Sequence, residues 1–72
     1  MIKFDIQTAY PNEVGIPNIV TIYMIVDNEV THIIFSGSYG EAVERINHLK
    51  EAIPFASFEA DCNDELFNLG DD

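Results

Sequence analysis

Apolar and polar positions alternate from the start of the chain. Ile2, Phe4, Ile6, Thr8 and Tyr10 form one row, and Lys3, Asp5, Gln7 and Ala9 form the other. A period of two with one apolar row predicts a half-buried strand over 2–10. PNEVGIPN follows. Its prolines, asparagines and glycine predict a loop, and Pro17 prevents a helix from running through it. Ile19 to Val26 is rich in β-branched residues and predicts the strongest strand. Asp27-Asn28 separates it from a second β-rich run, 29–35. Two residues that tolerate positive φ between two such runs predict a tight hairpin. With that pair as the turn, Val26 faces Glu29, Met24 faces Thr31, Ile22 faces Ile33 and Val20 faces Phe35 on one side of the sheet. The other side carries Ile25 with Val30, Tyr23 with His32, and Thr21 with Ile34.

The period then changes. Ser38-Tyr39-Gly40-Glu41 fits a capping box, in which the serine oxygen accepts from a free amide and Glu41 reaches back. Ala42, Ile46, Leu49 and Ile53 recur at spacings of four, three and four, one stripe of a helix widened by Val43. Pro54 stops it. Glu41 with Arg45, and Glu44 with His48, sit at i,i+4 on the wet side. PFASFEA predicts either a short fourth strand or an extended loop packing Phe55 and Phe58. In the closing stretch EADCNDELFNLGDD, Asn63 suits a helix cap, Asp64 and Glu65 suit a first turn, and Gly70 suits an end. One to two helical turns are expected there, docked by Cys62, Leu66 and Leu69 with the carboxylates outward. The expected fold is α+β. It is a three-stranded antiparallel sheet with one main helix packed on one face, closed by a short C-terminal strand or helical turn, in a single compact domain spanning 1–72.

One helix covers one sheet face. The other face is expected to show Ile19, Tyr23, Ile25, Val30 and Ile34, with Thr21 and His32 between them. An antiparallel sheet with a solvated face reads polar on that face, and this one does not. A contiguous apolar patch on a soluble monomer calls for a cover. The closing segment, a second copy or a different protein are the three covers available. Tyr23, Ile25, Val30, His32 and Ile34 are therefore candidate partner or homodimer residues.

Charge changes the picture more than any motif. Thirteen acids face three Lys and Arg residues, a formal charge of −10. Such a chain repels nucleic acid and anionic membranes and is attracted to basic surfaces. Binding phosphate needs clustered Lys and Arg, so direct nucleic-acid binding is not expected. A basic protein partner is the natural complement. The candidate partner-binding acids are Glu41, Glu44 and Glu51 on the outer side of the helix, with Glu59, Asp61, Asp64, Glu65, Asp71 and Asp72 on the closing segment. The lone Cys62 can form no internal disulfide, which points to a reducing cytoplasm. IVTIYMIV, the longest apolar-rich run, is too short to span a bilayer, and the N-terminus does not read as a signal peptide.

Candidate chemistry is sparse. Nucleophilic catalysis needs a nucleophile, a base and an orienting group together, and nothing in the spacing of Cys62, His32 and His48 suggests a shared pocket. DCNDELFNLGDD half-resembles a calcium loop, but its sixth position is Leu66 rather than Gly and its twelfth is Asp72 rather than Glu. No Cys/His pair has zinc spacing, and SGSYG lacks the lysine of a phosphate-binding loop. No enzymatic activity, metal or cofactor is expected.

By its small size, its acidity, its single cysteine and its β-β-β-α plan, the whole chain resembles the small inhibitors that bacteriophages make, including anti-CRISPR and anti-restriction proteins. Those families share no common motif, so no functional residue carries over. The resemblance implies a non-enzymatic protein that blocks a nucleic-acid-binding complex, in the manner of a nucleic-acid mimic. SYGEAVERINHLKEAI is also similar in pattern to the first helix of antitoxin subunits that follow a three-stranded sheet with a helix. The glycine-rich and proline-rich strand and the DNA-binding tail of that family are missing here. An antitoxin-type partner subunit and a homodimeric module packed through the second sheet face are the alternative expectations.

Overall fold

Three strands form where alternation predicts them. In the computed structural model, which describes residues 1–61, 64–67 and 69 and, of these, all side chains but those of 30, 31 and 64, β1 spans Ile2–Pro11, β2 Pro17–Val26 and β3 Glu29–Gly37. Asp27 and Asn28 take φ of 54° and 72°, the turn geometry that keeps a two-residue hairpin in step with strand twist. Helix α1 spans Tyr39–Ala52. The Ser38 hydroxyl accepts from the Glu41 amide at 3.3 Å and donates to the Glu41 carboxylate at 3.2 Å. Glu41 thus reaches back to the serine side chain. Pro54 follows the last cap, where the Ile53 amide still donates to the Leu49 carbonyl at 2.8 Å.

PFASFEA supplies the short fourth strand that was one of its two readings, and the sheet is mixed rather than antiparallel. Residues Ser57–Ala60 form β4, which pairs parallel to β1 and gives the order β3-β2-β1-β4. The expectation of three antiparallel strands is corrected here. The free edge of β1 is the reason: an unpaired row of amides and carbonyls takes up the returning chain. Phe58 then stacks on Phe4 with ring centroids 5.2 Å apart. Residues Ile2, Phe4, Ile6, Val20, Ile22 and Met24 line the side that α1 covers with Ala42, Val43, Ile46, Leu49 and Ile53.

The β2–β3 register also departs from the simple hairpin. Two irregularities in β3 leave Thr31 and Ile34 without partners of their own, so Met24 lies opposite His32, Tyr23 opposite Ile33 and Ile22 opposite Phe35. At the second bulge Ile34 and Phe35 share Ile22, and both pack against the core. Ile33 turns the other way and is 54% exposed. The expected faces of Ile33 and Ile34 are therefore exchanged. Strand β3 is a sheet edge, and bulges there bend the strand and spoil it as a template for further pairing.

The closing segment docks on the helix side. Asp64–Phe67 forms one 3-10 turn, within the one to two helical turns expected. Leu66 and Leu69 pack against the core as expected, and Phe67 joins them: it is fully buried in the core, and its ring meets Tyr39 at 5.6 Å. The Tyr39 hydroxyl donates to the Leu66 carbonyl at 2.5 Å. The expected contact of Cys62, the cap at Asn63 and the stop at Gly70 lie outside the described residues. No helix among the described residues is long and apolar enough to cross a membrane.

Candidate partner-binding surfaces

The acids fall into two groups. One group is used inside the fold. Asp61 receives the Thr8 hydroxyl at 2.9 Å and the Thr8 amide at 3.2 Å, fastening the end of β4 to β1. Glu59 pairs with Lys3 at 2.5 Å across the same two strands. Glu41 caps α1. Asp27 holds the N-terminal amine at 3.2 Å, and Asp5 accepts from the Gln7 amide group at 3.0 Å. The other group points outward. Glu13, Glu29, Glu44 and Glu51 are exposed and have no hydrogen-bond or ion-pair partner among the described residues. Glu65 is exposed on the closing turn. The side chain of Asp64, and Asp71 and Asp72 altogether, lie outside the described residues.

All three bases are engaged by groups of the fold. Lys3 is held by Glu59; the hydrogen bond it donates to that carboxylate, then the carboxylate's charge, raise the lysine pKa above its ordinary value. Arg45 donates to the carbonyl of bulged Ile34 at 3.2 Å and lies 5.2 Å over the Phe35 ring, so it serves the strand rather than the expected pair with Glu41. Lys50 donates to the Phe67 carbonyl at 3.5 Å. The positive charges thus help close the fold, while much of the negative charge faces solvent.

The open sheet face is divided lengthwise. Strand pairing places Ile19, Thr21, Tyr23 and Ile25 of β2 beside Ile33 and Ser36 of β3, and beside Ala9, Gln7, Asp5 and Lys3 of β1. Ser57 and Glu59 of β4 continue the polar half. Of the residues predicted for this face, Tyr23 and Ile25 are on it. Val30 is aligned with Ile25, its side chain outside the described set. His32 is exposed but lies opposite Met24 rather than Tyr23, and Ile34 belongs to the core. Ile33 was the residue that alternation alone missed. The run Ile33-Ile34-Phe35 was the available signal, since three consecutive apolar residues cannot all follow a period of two on one buried face. Thr21 and Ser36 hydroxyls meet across the strands at 3.3 Å.

His48 shares an open groove with Phe35, Glu41, Glu44 and Arg45, between α1 and the β3 edge. Among the described residues no three His, Cys, Asp or Glu side chains converge where they could hold a metal ion. Compared with known proteins, the chain matches no family model, no curated protein and no solved structure.

Proposed function

We propose that this protein is a non-enzymatic binding protein that captures a basic surface on another protein, of the kind that grips nucleic acid, and blocks it. One observation carries this reading. All three bases are spent within the fold, while Glu13, Glu29, Glu44 and Glu51 stand outward without partners among the described residues. A formal charge of −10 on so small a body produces a one-signed field that speeds capture of a basic partner.

Geometry limits how far the likeness to nucleic acid goes. Along α1, Glu41, Glu44 and Glu51 rise by about 4.5 Å and then about 10.5 Å. A DNA strand places a charge every ~3.4 Å of axis. The helix therefore supplies a sparse acidic row, and any fuller imitation draws on the acids at the strand ends and the closing segment.

The test begins with immobilised protein in a lysate, washed at low and high salt, with retained proteins identified by mass. The expected partner binds nucleic acid, elutes with salt, and releases labelled nucleic acid when this protein is added. Glu44→Lys with Glu51→Lys weakens the one-signed field and is expected to slow capture at low salt while shifting stability by no more than about 0.5 kcal/mol, as exposed sites do. A partner that holds nucleic acid and this protein at the same time overturns the reading.

A further inference from the structure

We infer that the partner is seated on the open sheet face, along the β2–β3 half, and that it presents an apolar centre ringed by lysine or arginine. The inference rests on the reading of a basic partner and adds where that partner sits.

The helix side of the sheet is closed by α1 and by Phe67 and Leu69, which pack on the core. Of the closing segment, the described apolar residues Leu66, Phe67 and Leu69 therefore lie on the helix side and not on the open face. What remains is a strip of Ile19, Tyr23, Ile25 and Ile33, with Ile19 and Ile33 42% and 54% exposed. From Ile19 to Ile25 the strip runs about 20 Å at strand rise. Exposed apolar strips of this kind mark contact sites, and tyrosine is among the side chains enriched at the energetic focus of an interface.

Charge selects among occupants. The strip is bordered by Asp5 and Glu59 on β1 and β4, and by exposed Glu29 at its hairpin end. Lys3, the single base on this face among the described residues, is already paired with Glu59. A second copy would bring another −10 against these acids and offer no free base to meet them. A partner with an apolar centre and a basic rim satisfies both parts: its apolar groups dry the strip, and its rim charges face carboxylates across a wet border.

Two labelled twelve-residue peptides of equal charge test this by fluorescence anisotropy, one alternating lysine with leucine and one alternating lysine with serine. Light scattering is run alongside. The wild-type protein is expected to be monomeric and to bind the lysine–leucine peptide at least tenfold more tightly. Ile19→Ser with Ile33→Ser, both at exposed positions, is expected to remove most of that preference and to leave lysine–serine binding unchanged. In the wild-type protein, amide NMR shifts induced by the lysine–leucine peptide are expected at Thr21, Tyr23 and Ile33 rather than along α1. Equal affinity for the two peptides, or shifts confined to α1, overturns the seat on the open face and leaves the basic partner standing. A dimer that the double variant dissolves also overturns it, because a second copy then covers the strip. If neither peptide binds, the basic-partner reading itself fails, and this inference falls with it.

Discussion

Thr8 fills both oxygens of the Asp61 carboxylate, its hydroxyl donating to Oδ1 at 2.9 Å and its amide to Oδ2 at 3.2 Å. The Asp61 amide in turn donates to the Ile6 carbonyl at 3.0 Å, so the clasp extends the parallel pairing of β1 and β4 by one more contact. An acid that looks like part of a binding surface is thereby a structural fastener. Thr8→Val keeps the amide contact and loses the hydroxyl one. At this exposed site the expected loss is about 1 kcal/mol, read as a lower urea midpoint. An unchanged midpoint would return Asp61 to the pool of acids available for a partner.

Phe67 and Phe55 lie twelve residues apart and have opposite fates, 1% and 77% exposed. Phe67→Ala empties a core site beside Tyr39 and is expected to cost about 3–5 kcal/mol. A domain of this size has roughly 4–11 kcal/mol in total, so this variant should be close to unfolding. Phe55→Ala should change stability by no more than about 0.5 kcal/mol. Denaturant melts of the two variants decide the matter: similar losses would mean that the closing turn does not complete the core.

The hairpin turn depends on two non-glycine residues at positive φ, Asp27 and Asn28. Asparagine tolerates that region and alanine does not. Asn28→Ala is expected to cost about 1–2 kcal/mol, and Asn28→Gly to be neutral or mildly stabilising. Thermal melts of both variants check this. Equal destabilisation by alanine and glycine would point to a side-chain role for Asn28 instead of a backbone one.

Lys3 and Glu59 give a pH signature on the alkaline side. The hydrogen bond Lys3 donates to Glu59, followed by the charge of that carboxylate, raises the Lys3 pKa above its ordinary value; desolvation opposes the rise and Asp5 adds to it. A base whose folded pKa is raised contributes stability fully below its unfolded value and loses it as pH rises through the folded value. The stability gap between wild type and Lys3→Met is therefore expected to be constant near neutral pH and to close above about pH 10.5. Urea midpoints measured across that range test it. A gap that stays open through the titration would mean that Lys3 acts by packing its stem rather than by its charge.

Arg45 shows why a helix pattern alone misplaces charge. Its spacing from Glu41 fits a surface ion pair, worth only a few tenths of a kcal/mol in an isolated helix. The bulge at Ile34 brings a carbonyl within 3.2 Å and the Phe35 ring lies beneath the guanidinium, and these contacts draw the side chain to the strand. The bulge is itself invisible to periodicity. It follows from fitting Ile34 and Phe35 together against the core opposite Ile22.

The sequence by itself determined the first three strands, the Asp27-Asn28 turn, the start of α1 at Ser38 and its end before Pro54. Each of these depends on neighbours within a few residues: a period, a tolerated φ, a cap or a missing amide. Only the tertiary structure decided that Ser57–Ala60 joins β1, that Ile33 rather than Ile34 faces outward, and that Phe67 closes the helix side. It also decided which charges are spent in holding the fold and which remain at the surface. These outcomes depend on contacts between residues far apart in the chain, where a free strand edge, a gap in the core and an unmatched carbonyl choose among segments whose local preferences leave several pairings open.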